Sequence, residues 1–288
     1  MKIQIIQVPY DSGYRDLRQG CGPAHFIDQK LDGLLEADGH QVRTTRIDAK
    51  AEFTTEIGTA FELNRLLSKE VKAAVGDGMF PMVLSGNCNS CLGTIAGINS
   101  GQLGVVWFDA HGEFNTPDTT QSGFLDGMPL AMATGRCWKT ILKTIPGFVP
   151  VKEPNVILVG ARDLDQEEKR QLQKSGVSVI GSEGITPDNL LKTIEDALRK
   201  LQDRVTGIYL HIDMDAFSIK GGAANHFGAS GGLSPEFIEA SIAMVKKYFK
   251  LQAGTVASFD PTCDSTGGFL AAGIRCIRQI VIPKNTST

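Results

Sequence analysis

No stretch of the sequence stays apolar over the roughly 20 residues that a bilayer-crossing helix requires, so no membrane partner is expected. A basic excess is missing as well. With 29 Lys and Arg against 32 Asp and Glu, the formal net charge is −3, and the positive footprint of a nucleic-acid binder is absent. The sequence has no repeat, low-complexity tract or linker-like stretch, so residues 1–288 are read as a single α/β domain. Cysteine is sparse: the six cysteines lack the close spacing of a small disulfide-stapled fold, which reads as reduced thiols in a cytoplasmic chain. The opening "MKIQIIQVPY" has too short an apolar run for a signal h-region and reads as a first strand.

What is present is an alternation of short apolar runs and amphipathic stretches. The runs are "KIQIIQV", "HQVRTTRI", "FPMVLSG", "LGVVWFD", "NVILVGA", "GVSVIG", "GIYLHID" and "GTVASFD". Helical periodicity appears between them in "FELNRLLSKEVKAAVGDG", "DQEEKRQLQKSG", "TPDNLLKTIEDALRKLQD" and "LSPEFIEASIAMVKKYF". Such alternation predicts a three-layer α/β/α architecture with a mostly parallel sheet of about eight strands. Two stretches fit neither period: residues 115–127 and the Gly-rich "AFSIKGGAANHFGASGG" after Asp215. Both follow apolar strands, on the side where open parallel sheets place ligands.

Chemistry concentrates at those strand ends. Asp109, His111 and Glu113 alternate after "LGVVWF", and Asp213 and Asp215 alternate after "GIYLHI". Alternate residues on a strand share a face, so two strands deliver four carboxylates and an imidazole to one end of the sheet. Buried carboxylates without a positive partner cost several kcal/mol each. Oxygen ligands with one imidazole suit divalent cations, more than one given this much charge. Helix capping or salt bridging is the plainer alternative. His211 alternates with Asp213 and is a candidate supporting partner, while His25 and His40 read as structural or solvent-facing. A third strand leads into "SGNCNSCLG", where Cys88 and Cys91 form a C-x-x-C before a helix. That layout admits a thioredoxin-like redox motif or two buried structural cysteines.

In order and spacing, "SGNCNSCLG", "DAHGEFN" and "DMDAFSI" resemble three motifs of the ureohydrolase family, which includes arginases and agmatinases. "NTPDTTQSGFLDGMP", "LVGARDLDQEE" and "YRDLRQGCGP" are similar to further segments of that family, so the likeness spans nearly the whole chain. The resemblance implies a hydrolase that cleaves a C–N bond of a linear amidine with two divalent cations, Mn²⁺ first. It assigns Cys88, Asp109, His111, Glu113, Asp213 and Asp215 as metal ligands, with Cys88 in place of a His and Glu113 in place of an Asp. A thiolate admits Zn²⁺, Fe²⁺ or Co²⁺ as well. The Cys and the "HGEFNTPDTTQSGFLDGM" segment look closest to the hydroxyarginine-hydrolysing branch linked to cycloserine biosynthesis.

The same likeness places Asn115 and Ser122 at an amino acid's α-carboxylate, and Asp165 and Glu168 at its α-amino group. Glu113 is expected to orient the attacking water. Asp126 stands where arginases have a proton-shuttling His, and His226 in the Gly-rich loop is a second candidate for proton transfer. Ser258 stands where arginases have a Glu that grips the guanidinium, with Asp260 and Asp264 nearby in sequence. The expected substrate is therefore a small amidine, a guanidino or N-hydroxyguanidino amino acid. The family also implies a homotrimer or homohexamer. A catalytically inactive relative with a binding or regulatory role is the alternative, motivated by Asp126 and Ser258.

Overall fold

The computed structural model describes residues 1–50, 55–98, 101–181 and 186–283. The eight apolar runs form β1 (Lys2–Val8), β2 (Gln41–Arg46), β3 (Phe80–Ser85), β4 (Leu103–Phe108), β5 (Val156–Val159), β6 (Ser178–Ile180), β7 (Gly207–Asp213) and β8 (Leu251–Ala257). They make one eight-stranded sheet in the order β2-β1-β3-β8-β7-β4-β5-β6. Every pairing in it is parallel. Parallel strands need crossovers, and helices supply them. Three of these helices are sharply started: Thr55, Thr186 and Ser234 each accept a backbone N–H of the first turn, and Pro187 and Pro235 occupy first-turn positions that have no N–H to leave unpaired.

The sheet is covered on both faces, which gives the α/β/α layering. Val106, Phe108, Ile208 and Leu210 pack with the helices at Pro187–Leu201, Pro235–Tyr248 and Gly268–Val281. Val105, Trp107, Leu158 and Tyr209 pack on the opposite face with the helices at Cys91–Ile98 and Pro129–Ala133. Central strands are buried on both sides and so read as unbroken apolar runs. The edge strands β2 and β6 are largely exposed, and β2 carries Arg43 and Arg46, charges that discourage edge-to-edge pairing. No helix among the described residues is long and apolar enough to cross a membrane.

Strand register sets the site. Ala257 pairs with both Ser85 and Asp213, and Phe108 pairs with Ile212. The C-terminal ends of β3, β8, β7 and β4 are therefore level in the middle of the sheet. Asp109 shares the parity of Val105 and Trp107, and Asp213 that of Tyr209 and His211, so both carboxylates continue the same sheet face.

Candidate metal centre

The turn after β3 is held tightly. A Cβ on Gly86 would lie 2.2 Å from the Tyr10 carbonyl oxygen, so only glycine lets this turn close against the N-terminal segment. Beyond it, Cys88 is buried with its sulfur directed at the ends of β7 and β8. Cys88 Sγ lies 3.0 Å from Asp213 Oδ2, 3.1 Å from His211 Nε2 and 3.6 Å from Ser258 Oγ. Burial and the surrounding carboxylates push its thiol well up, the opposite of the lowered thiol pKa of a redox-active C-x-x-C. Cys91 is also buried, has a raised pKa and faces the Pro129 carbonyl instead. Both are free thiols.

Asp109, fully buried, accepts from Trp107 Nε1 at 2.7 Å and from the His111 backbone N–H at 2.8 Å. The His111 ring lies 3.4 Å from both Asp109 Oδ1 and Asp215 Oδ2. Burial opposes charge on this imidazole, but its bonds to the two carboxylates outweigh burial and push its pKa up. Asp213 accepts from the Asp215 backbone N–H at 2.8 Å, and Asp215 accepts from the Ala110 backbone N–H at 3.2 Å. The two strand ends are thereby stitched together. Glu113 sits at φ 55°, a left-handed conformation held because its carbonyl accepts from Leu130 N and Ala131 N. A Cβ on the preceding Gly112 would lie 2.6 Å from the Glu168 carboxyl, so that side chain would have to move aside.

These residues fit a pair of cations. Two groups of ligand atoms, Cys88/Asp109/Asp213 and Asp109/His111/Glu113, each lie within 4.8 Å of one another, and Asp109 belongs to both. Glu113 Oε2 is buried with no hydrogen-bond partner. Burial, then like charge, pushes the Asp109, Glu113 and Asp213 carboxyls up. Among the described residues none of the three pairs with lysine or arginine. Buried acids that repel one another with an orphaned oxygen are what a bound cation would stabilise.

A cleft of about 210 Å³ opens above this floor. Its lining brings together His111, Glu113, Asp213 and Asp215 with Asn115, Ser122, Asp126, Asp165, Glu168 and Ser258. Asn115 Nδ2 donates to Asp165 at 3.1 Å, and the Ser122 hydroxyl accepts from Phe124 N at 3.2 Å. Burial pushes Glu168 up to about 7, although it accepts from Phe114 N at 2.8 Å. Asp126 accepts three N–H groups, from Asn87 Nδ2, Cys88 N and Asn89 N at 2.8, 3.0 and 2.7 Å. It clamps the turn that carries Cys88. His226 is not part of the lining. Its ring is mostly exposed and turned toward Asp260 and Cys263. Asp260 and Asp264 also stay outside the lining: Asp260 accepts from Thr262, and Asp264 accepts from Leu270 N at 2.9 Å.

Several supports lie behind these residues, and of them the sequence singles out only His211. His211 is fully buried and kept neutral, its pKa lowered by burial to about 3. It stacks on Trp107 with ring centroids 3.7 Å apart and bridges Cys88 to the Tyr209 hydroxyl, which donates to Thr255. Arg162 reaches the carbonyls of Asp215, Ala229 and Ser230 and so pins the Gly-rich loop. Asn225 bonds Asp215 and the Ser258 carbonyl. Only the alternation of His211 with Asp213 was visible beforehand.

The family model described as "Arginase family" matches residues 1–282. Arginase of Bacillus caldovelox is 33% identical over 257 residues, covering 84% of each chain. The crystal structure of arginase from Bacillus subtilis superposes with a TM-score of 0.89 at 26% identity, over 99% of this chain and all of that one. Formimidoylglutamase of Bacillus subtilis shares the fold at 18% identity, with a TM-score of 0.75 over 97% of this chain and 85% of that one.

Proposed function

The chain belongs to the arginase family, and from that premise we propose that it is a metal-dependent amidinohydrolase whose preferred substrate is an N-hydroxyguanidino amino acid such as hydroxyarginine. The observation behind this reading is Ser258, a buried hydroxyl on the cleft lining 3.6 Å from Cys88 Sγ. It offers no carboxylate to a cationic guanidinium, and neither Asp260 nor Asp264 lines the cleft in its place. A charge-assisted clamp is worth about 1.5–3 kcal/mol. An N-hydroxyguanidine is far less basic than a guanidine, so it enters neutral and brings a hydroxyl that can hydrogen-bond.

Cys88, Asp109, His111, Glu113, Asp213 and Asp215 would hold two divalent cations, manganese or, through the thiolate, a softer ion. Bound there, such ions supply a water acidified toward pH 7. Glu113, with a free buried oxygen at the cleft floor, orients the attacking water, takes its proton and passes it to the departing amine. Asp126 acts through the Cys88 turn that it clamps. Asn115 and Ser122 receive the substrate carboxylate, and Asp165 and Glu168 its ammonium, which draws Glu168 into its ionised form.

The test is turnover by the manganese-loaded protein on arginine, hydroxyarginine, agmatine and formiminoglutamate, read as urea, hydroxyurea or ammonia released. Hydroxyurea release with the highest kcat/KM on hydroxyarginine is expected. A preference for arginine would overturn the substrate assignment, and no turnover on any of the four would favour a binding or regulatory role.

A further inference from the structure

Outside the cleft, three side chains of different chemistry meet where the Gly-rich loop touches the turn after β8. His226 Nε2 lies 3.6 Å from Cys263 Sγ and 3.9 Å from Asp260 Oδ2, and the three ligand atoms all lie within 4.8 Å of one another. We propose that His226, Asp260 and Cys263 form a separate site for a borderline-soft divalent ion, zinc above all. The proposal does not depend on the assignment made for the cleft.

The spacing suits the ion. With Zn–N of about 2.0–2.1 Å and Zn–S of about 2.3 Å, a tetrahedral site has an N···S edge of about 3.5 Å. The His226–Cys263 pair is already at that separation, and the Asp260 oxygen, 3.9 Å from the imidazole, needs to approach it by about half an ångström. The mixed donor set selects as well: a thiol, an imidazole and one carboxylate oxygen suit zinc, whereas magnesium and calcium ask for oxygen ligands throughout.

The surroundings are organised for the task. Asp260 is buried, and its Oδ1 accepts from Thr262 N and Thr262 Oγ1 at 2.9 and 2.7 Å. That support fixes the carboxylate and leaves Oδ2 facing His226, as outer partners of metal ligands do. Two backbone bonds, Asp260 N to the Ala224 carbonyl at 2.7 Å and Ala223 N to the Cys263 carbonyl at 3.2 Å, hold the ligand-bearing segments side by side. Burial and then Asp260 raise the Cys263 thiol, a repulsion that a cation removes. The exposed His226 ring leaves an entry path and room for a water as fourth ligand. An ion there would tie the loop that carries Phe227, a residue of the cleft lining, to the turn that carries Ser258.

Cys263 is only half-buried, so thiol alkylation followed peptide by peptide in metal-stripped protein, with and without added Zn²⁺, reads the site directly. Zinc should slow Cys263 labelling by about tenfold or more, because the thiolate is then engaged. His226→Ala, at an exposed position that the fold tolerates, should label at the metal-free rate whether or not zinc is present. Cys263→Ser should retain one zinc fewer per chain than wild type by elemental analysis. Equal labelling of Cys263 with and without zinc, or full protection in His226→Ala, would overturn the proposal.

Discussion

The floor of the cleft and its rim are built from different parts of the chain. The floor consists of strand ends: Asp109 and Asp213 continue β4 and β7, and the turn after β3 brings Cys88 to them. Neighbouring parallel strands fix these positions, and backbone N–H groups of His111, Ala110 and Asp215 bond the carboxylates directly. The rim draws on residues 115–127, Asp165, Glu168, Phe227 and Ser258, which lie mostly in segments with little regular structure. Its side chains are placed by long-range bonds, such as Arg162 to the Ala229 and Ser230 carbonyls and Asn225 to the Ser258 carbonyl. A floor fixed by the sheet suits cation binding, where a small misplacement is costly. A rim built on loops can change its substrate contacts without disturbing the sheet.

The comparison predicts that floor changes abolish function while rim changes redirect it. The largest effect belongs to Asp213→Asn. Elemental analysis should show at least one cation lost per chain, and turnover should fall by more than about a hundredfold, since losing even a partner behind a ligand costs 10–100-fold. A metal content equal to wild type would break the distinction.

Asp126→Asn probes the boundary between floor and rim. The carboxylate accepts three N–H groups, whereas an amide turns its own N–H toward one of them. Cation affinity should weaken by about 10–100-fold, and the melting temperature should drop. Excess metal should restore kcat with an unchanged pH profile if Asp126 positions Cys88. A lost limb of that profile would instead mark Asp126 as a proton carrier.

Ser258→Glu is a rim change. It should raise kcat/KM on arginine relative to hydroxyarginine by about tenfold, equivalent to 1.4 kcal/mol in the transition state. An unchanged ratio would mean that Ser258 does not face the guanidino group.

The smallest effect is on stability. Glu168 has its pKa raised by burial to about 7 in the folded protein, above its unfolded value near 4.3. Between these values the folded state holds the extra proton, so stability is lost as pH rises through the window. Metal-stripped wild type should therefore lose about 1–3 kcal/mol relative to Glu168→Gln between pH 4 and 8. Parallel pH curves for the two proteins in urea unfolding would contradict this.

The same floor-and-rim division explains what could be read in advance. The central strands announce themselves as unbroken apolar runs because they are buried on both faces, whereas the exposed edge strands β2 and β6 show only as short β-branched stretches between turn residues. The run "GTVASFD" begins three residues after the start of β8, beyond the register shift between Leu251 and Ala253. The helix at Gly268–Val281 is absent from the amphipathic stretches picked out in the sequence, although its buried residues Phe269, Ala272, Cys276, Ile277 and Ile280 recur at helical spacing. Floor residues were legible because a two-residue period fixes a face. His226 was not, since nothing local to "GGAANHFGAS" indicates that its ring turns toward Cys263 and away from the cleft. Tyr209, Asn225 and Arg162 owe their roles to partners distant in sequence.

The central claim is that the strand ends form a cation centre in which Cys88 serves as a ligand. Metal-edge X-ray absorption on zinc-loaded Cys263→Ser protein tests it most directly, because that variant removes the thiol of the second proposed zinc site. A sulfur scatterer at about 2.3 Å from the metal is the expected result. A shell of oxygen and nitrogen alone would contradict it.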